Sequence, residues 1–358
     1  MTGLQLVRSG RQVQIVPMER PRGDQPYVSM LAVGLCGTDV QIGAGHRGDV
    51  AAVLGHEGIG ILHGVPGGDR MVAFNPVDVR DQDSILGHSF DGLFRSWVPL
   101  GPELPLSALQ EVEPLNPTAV LTLCEPLGTV LYSWELIEHS APAGPLSVGV
   151  WGAGPIGLLH VRRATDLGHD VELVEARPER LAWVANHSRL APTHLSVAGH
   201  RTPRPVDVAI VCSPRPAMAS AVREAADALR PGGTMVLVTA LDAMAAAPTF
   251  VDATVGRVRR HNVCGSVDPE LGMVTAVTHE GKPLVVTGHR GTSLAQLHRA
   301  ESVLRADPRG YGAVITHELS LGDAVDVINR RLDGRFRTED GSEIVKVVVR
   351  FPNSGHHE

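Results

Sequence analysis

Over the first 125 residues, short apolar runs alternate with Gly- and Pro-rich turns. Clear examples are 27–37 (YVSMLAVGLCG), 57–65 (EGIGILHGV), 69–77 (DRMVAFNPV) and 94–100 (FRSWVPL). That spacing predicts irregular antiparallel β structure, barrel-like in outline. From Pro117 to Glu138 the period lengthens, with Ala119, Val120, Leu123, Leu127, Val130 and Leu131 recurring on helical faces. From about residue 146 the rhythm changes again. Val/Ile/Leu-rich strands over 146–152, 170–176, 206–212 and 234–240 alternate with helices over 156–168, 178–188 and 216–233. Strands apolar on both faces predict a parallel sheet covered by helices, running here to about Gly265. The remainder carries helical stretches at 296–308 and 324–334 and closes on a strand at 343–351.

At 358 residues, with 43% hydrophobic and 20% charged positions, the chain is long enough for two soluble domains. Aromatics make up only 4%, so the core must be built from aliphatic side chains. No apolar run reaches the roughly 18–20 residues that span a bilayer, and the N-terminal stretch lacks the pattern of a secretory signal. These features predict a cytoplasmic protein with no membrane partner. A net charge of −7 and the absence of a basic run disfavour nucleic acid. Four scattered cysteines (Cys36, Cys124, Cys212, Cys264) form no CxxC pair. In a reducing compartment they read as buried thiols or metal ligands rather than disulfides.

The strand at 146–151 runs directly into Gly152-Ala153-Gly154-Pro155-Ile156-Gly157, which opens a helix. In this pattern Gly152 permits the tight turn, Gly154 lets backbone approach a pyrophosphate, and Gly157 allows close helix–strand packing. The free N–H groups and positive dipole of the helix start then favour an anion. Glu175 closes the next strand about 20 residues on, where an acid binds the adenosine ribose hydroxyls. A carboxylate there repels a 2′-phosphate and favours NAD over NADP, although Arg177 and Arg180 lie just beyond it.

Three further segments offer metal ligands: Cys36 in GLCGTD, His56 and Glu57 in LGHEGIG, and Glu125 in LCEPLG. Each alone has a structural explanation. Together, one thiolate, one imidazole and carboxylates suit a tetrahedral zinc with an open position, as catalysis requires. Zinc lowers the pKa of a bound alcohol, which can then release hydride to a nicotinamide.

In their order, GLCGTD, LGHEGIG, EPLG and GAGPIG resemble the zinc-dependent medium-chain dehydrogenase/reductase family, nearest to its polyol and glucose dehydrogenase branches. The resemblance implies an α/β protein with a GroES-like β-rich catalytic domain and a Rossmann doubly wound domain. Residues 1–125 would form the first part of the catalytic domain, 126–266 the dinucleotide-binding domain, and 267–358 the return. It implies Cys36 and His56 as zinc ligands, Glu57 as an adjacent or exchanging ligand and catalytic residue, and Glu125 in the place of a third ligand. Cys124, one position out of register, would be a core thiol. Thr38 would relay the substrate proton, and Asp39 would orient the zinc-bound histidine. Gly152, Gly154, Pro155, Ile156, Gly157 and Glu175 would hold the dinucleotide. Arg180 would contact its ribose, and Lys346 would lie near its pyrophosphate.

The chain departs from the family at three places. The stretch 75–94 (NPVDVRDQDSILGHSFDGLF), where many members bind a structural zinc, contains no cysteine. One catalytic zinc and no structural zinc are therefore expected, and His88 in this stretch reads as a surface histidine. Gln41 replaces a relay histidine and cannot carry a proton; His46 is the nearest alternative in sequence. Between Ser266 and Thr316 the connection is about 20 residues longer than usual and carries GKPLVVTGHRG (281–291), read as an added strand and turn. The expected activity is NAD(P)-linked oxidation of a secondary hydroxyl in a small polyol, sugar or (amino)cyclitol by a homodimer or homotetramer. The competing readings are an amino-alcohol substrate, as in threonine dehydrogenases, and a zinc-free reductase or non-catalytic binding protein.

Overall fold

The computed structural model describes residues 2–23, 25–78, 81–200, 204–239, 258–259, 261–262 and 275–352. The chain divides into two compact units, Met1–Gly128 with Thr292–Glu358, and Thr129–Gly291. The expected return at 267, and Cys264 before it, lie outside the described residues.

The first unit begins with a hairpin, β1 (Thr2–Ser9) and β2 (Gln12–Glu19), then β3 (Tyr27–Gly34) and the short helix α1 (Gly37–Gly43). There follow β4 (Glu57–His63), β5 (Arg70–Phe74), β6 (Val77–Asp78), β7 (Asp81–Ile85), β8 (Trp97–Pro99) and β9 (Leu109–Glu111). Helix α2 (Cys124–Ser140) follows a 3-10 segment over Thr118–Leu123, so the helical period seen from Pro117 is two elements rather than one. The second unit holds β10 (Ser147–Trp151), α3 (Pro155–Asp166), β11 (Asp170–Glu175), α4 (Pro178–Ala185), β12 (His194–Val197) and β13 (Val206–Val211). It continues with α5 (Met218–Ala228), β14 (Leu229–Leu237), β15 (Thr275–His279) and β16 (Lys282–Gly288). The chain then adds α6 (Leu294–Ala306), α7 (Pro308–Gly312), β17 (Ile315–Ser320), α8 (Leu321–Leu332) and β18 (Lys346–Arg350) to the first unit.

The sheet of the first unit runs β17-β18-β3-β4-β5-β9, with β8 also on β3. Its pairings are antiparallel except β17 with β18. One aliphatic core spans it, from Val28, Met30 and Val33 of β3 to Ile328 and Leu332 of α8 and Val347 and Val349 of β18. The described part of the stretch 75–94 is tied to the first unit by apolar packing and hydrogen bonds. Leu86, Leu93 and Phe94 are buried in that core, and the Asp91 carboxylate accepts the N–H groups of Ala52 and Val53, both at 2.9 Å.

The sheet of the second unit runs β12-β11-β10-β13-β14-β16-β15. It is parallel throughout except for the β15–β16 hairpin. From β10 the chain winds outward through β11 to β12 and then crosses to β13 on the other side. The strand order therefore reverses between β10 and β13, and ligands of doubly wound sheets bind beyond the strand ends at such a reversal. The sequence placed a helix over 216–233 stopped by Pro231-Gly232-Gly233. Helix α5 ends earlier, at Ala228, and these three residues lie inside β14. Strand β16 lies in the stretch read as an added strand, parallel to β14 and inside the second unit.

Candidate metal centre and dinucleotide turn

The end of β3, the start of α1 and the start of β4 converge in the first unit. Cys36 is the residue before α1, and Asp39 closes that helix's first turn by accepting the Cys36 N–H on Oδ2 at 2.9 Å. The other oxygen of Asp39 accepts the Gly55 N–H at 3.0 Å and lies 3.5 Å from His56 Nδ1. Asp39 is fully buried, so a carboxylate behind the imidazole fixes the ring's orientation, as in second-shell contacts to metal-bound histidines. The ligand atoms of Cys36, His56 and Glu57 all lie within 4.8 Å of one another.

The electrostatics of this group call for a cation. Burial pushes the Cys36 thiol up, but the charge and hydrogen bond of His56, helped by Lys346, bring it down to about 7. His56 is desolvated, yet Asp39 and Cys36 hold its proton well above the ordinary range. Burial holds Glu125 up at about 7, with Cys36 and Asp39 raising it further and His56 opposing them. Glu125 thus faces the same charges, although it is not among the three residues whose ligand atoms converge. A thiolate, two buried carboxylates and a third carboxyl surround one imidazole and one ammonium group. A divalent ion taking the place of the imidazolium proton would match this donor set, so the residues present fit zinc.

Lys346, which the resemblance implies near the pyrophosphate, lies within the first unit beside the candidate ligands. It is fully buried on β18, and its ammonium donates to Glu57 Oε2 and, at 3.1 Å, to the Leu35 carbonyl. A buried ammonium group needs a counter-charge, and Glu57 supplies it. Thr38 and Gln41 are half-buried on α1, while His46 is exposed beyond its end. Cys124 is buried, and desolvation drives its thiol far up; it is not among the residues whose ligand atoms converge with Cys36.

His88 corrects the surface reading. It is 8% exposed, and its ring meets that of His56 edge-to-face with centroids 5.0 Å apart. The cause is a close backbone approach. A Cβ on Gly87 or Gly92 would come within 2.6 or 2.2 Å of the Gly55 carbonyl oxygen, so the turn after β7 lies directly on the residue before His56. Two glycines flanking a histidine three residues after a strand were the available signal. Burial lowers the His88 pKa to about 3, with the His56 charge adding to it.

In the second unit the glycine turn follows β10 as expected. Gly152 has φ +110°, and a Cβ on Gly157 would lie 1.8 Å from the Gly152 carbonyl oxygen. No atom stands within 4 Å of the Cβ position of Gly154. That open place, beside Pro155 and Ile156 at the start of α3, is the cradle a pyrophosphate needs. The Glu175 carboxylate accepts the Ala153 N–H at 2.9 Å and the Arg177 N–H at 3.0 Å, and it pairs with Arg177 Nε at 3.2 Å. Arg180, expected at the ribose, is buried and donates to the Ala153 carbonyl at 2.9 Å. Both charged groups thus hold the glycine turn at Ala153.

No sequence-family profile matches the chain. It is 28% identical over 246 residues to glucose 1-dehydrogenase of Thermoproteus tenax, which covers 62% of this chain and 70% of that protein. Galactitol-1-phosphate dehydrogenase from Escherichia coli superposes with a TM-score of 0.72 at 18% identity, over 98% of this chain and all (100%) of that one. L-idonate 5-dehydrogenase from Escherichia coli gives 0.70 at 18%, over 98% and 99%. The chain has the fold of the medium-chain alcohol and polyol dehydrogenases. Within this dehydrogenase fold, Cys36, His56 and Glu57 share one unit and the glycine turn occupies the other. Among the described residues no helix is long and apolar enough to cross a membrane.

Proposed function

We propose that this chain is a zinc-dependent, NAD-linked oxidoreductase interconverting a secondary hydroxyl and a ketone in a polyol, sugar or cyclitol. The observation that carries this reading is the convergence of Cys36, His56 and Glu57 within 4.8 Å, with Asp39 behind His56. When bound, zinc there would lower the pKa of a hydroxyl and a nicotinamide would accept the hydride.

Cys36 and His56 would donate to the ion, Asp39 would keep the imidazole in place, and Glu57 or Glu125 would add a carboxylate. Lys346 holds Glu57 by its Oε2 and so biases which carboxylate is free. Thr38, two residues beyond Cys36, would take the hydroxyl proton. Gln41 would bind a substrate hydroxyl, since an amide cannot relay a proton. The α3 N-terminus would hold the pyrophosphate at Gly154, and Glu175 would accept from ribose hydroxyls and repel a 2′-phosphate. Carboxylates and an amide around the ion suit a polyhydroxylated substrate better than an apolar one. The sugar and polyol relatives support the same class. The outer edge of β15, which no described strand pairs, supports a homodimer or homotetramer.

Elemental analysis is expected to give about one zinc per chain. A panel of polyols, sugars, cyclitols and short alcohols, followed by reduced-cofactor absorbance, is expected to show turnover of the hydroxyl-rich compounds, faster with NAD than with NADP. Cys36→Ser is expected to lose both the zinc and hydride transfer. A zinc-free protein, or full turnover by Cys36→Ser, overturns the proposal.

A further inference from the structure

His88 is the one buried polar ring beside the candidate metal centre whose nitrogens the fold leaves unused. Neither Nδ1 nor Nε2 has a hydrogen-bond partner among the described residues. The nearest carboxylate oxygen, Asp49 Oδ1, is 3.7 Å from Nδ1, too far for a hydrogen bond. Asp49 is already engaged by Arg47, through Nε at 2.7 Å and Nη2 at 3.2 Å. The backbone around His88 is nevertheless pinned on both sides. Its N–H donates to the Ile85 carbonyl at 3.1 Å, and its carbonyl accepts the Ala51 N–H at 2.9 Å. The backbone that carries the ring is thereby fixed at the turn that Gly87 and Gly92 press against Gly55.

Packing alone does not account for an imidazole here. A phenyl ring would make the same edge-to-face contact with His56 without two desolvated nitrogens, each of which costs free energy when left unpaired. Such a ring makes sense if its partner arrives with the ligand. A neutral imidazole offers one donor and one acceptor, which matches a hydroxyl group on both counts. The ring stands next to His56, whose ligand nitrogen and the Cys36 and Glu57 ligand atoms lie within 4.8 Å of one another. A substrate held by its reacting hydroxyl at those three ligand atoms would carry its next hydroxyl toward the side chains packed around His56, of which His88 is the one with unused nitrogens.

We propose that His88 is a specificity-determining residue that hydrogen-bonds the substrate hydroxyl adjacent to the one oxidised, selecting vicinal diols and sugars over simple alcohols. This rests on the oxidoreductase reading above. It gives the stretch 75–94 a place in substrate choice, although that stretch has no cysteine to hold a metal of its own.

The test compares zinc-loaded wild type, His88→Phe and His88→Asn on two matched pairs: 2,3-butanediol against 2-butanol, and D-glucose against 2-deoxy-D-glucose. Phe keeps the packing and removes both nitrogens, whereas Asn restores a donor and an acceptor. For each pair the preference, as the ratio of kcat/KM values, is expected to fall about tenfold in His88→Phe, mostly through KM, and to recover in part in His88→Asn. Calorimetric titration with the diol is expected to show the same weakening, with zinc content equal in all three proteins. Equal losses on both members of a pair, or loss of zinc, would make His88 a buttress of His56 and overturn the proposal. An unchanged ratio overturns it as well. If wild type oxidises no polyol, sugar, cyclitol or short alcohol of the wider panel with either cofactor, the oxidoreductase reading itself fails and this inference with it.

Discussion

Two histidines of the second unit are buried where desolvation disfavours the charged imidazolium. His160 on α3 is fully buried with neither ring nitrogen hydrogen-bonded, and His289 is 1% exposed with Nε2 2.7 Å from Ser133 Oγ. Desolvation lowers each to about 3, and Arg259 and His160 add to the effect at His289. The folded pKa lies below the unfolded one, so the stabilisation is complete above about pH 6.5. It is lost as pH falls, because the unfolded chain binds protons that the folded chain refuses. The slope is about 1.4 kcal/mol per pH unit for each histidine. His160→Leu is therefore expected to lessen the drop in urea midpoint between about pH 7 and about pH 4.5. An undiminished drop would show that burial of His160 is not its source. The same scale marks the limits of the sequence reading. Cys36, His56, Glu57 and Asp39 were legible because zinc chemistry demands those residue types near one another. The partners that Lys346 and Arg180 take, Glu57 and the Ala153 carbonyl, were not legible, because a basic side chain's partner is set by where burial leaves a counter-charge or a free acceptor. The burial of His88 arises from backbone contact across more than thirty residues; the glycines at 87 and 92 hint at a close approach but do not name Gly55 as its partner.

At the scale of elements, the glycine turn separates packing from binding. Gly157→Ala puts a methyl group onto the Gly152 carbonyl, so α3 must move away from β10, at a cost of about 1–3 kcal/mol. Gly154→Ala meets no atom within 4 Å and only fills the cradle. The expected outcome is a lowered melting temperature with weakened cofactor binding for Gly157→Ala, against an unchanged melting temperature with weakened binding for Gly154→Ala. Scanning calorimetry and fluorescence titration with NADH check both. If Gly154→Ala binds NADH as wild type does, the pyrophosphate does not lie there. This turn was legible because its glycines serve local geometry. The end of α5 was not. Lys282 Nζ donates to the carbonyls of Ala226, Asp227 and Leu229, so a residue more than fifty positions away satisfies the helix terminus before Pro-Gly-Gly is reached.

Across the whole molecule, the change of hydrophobic rhythm near residue 146 announced a parallel sheet, and β10 to β14 follow it. The later boundary was less visible. Strand β16 carries the same apolar pattern as an added edge strand would, and only its pairing with β14 places it inside the second unit. The first unit closes through β18, which the terminal run of valines foretold, and that strand carries the buried Lys346.

The scarcity of lysine gives that residue a practical meaning. The chain has two lysines among 32 basic Lys and Arg residues. Lys282 is half-buried at a hairpin start, whereas Lys346 is fully buried. An amine-acylating reagent applied to the native protein should mark Lys282 and spare Lys346 until β18 and β4 part. Peptide mass spectrometry over a urea series would then time the opening of the Cys36 end with one covalent label. Equal acylation of both lysines in buffer alone would mean that the ammonium beneath Glu57 is open to water. The near-absence of lysine thus makes the candidate metal centre its own reporter of integrity, with no probe to introduce.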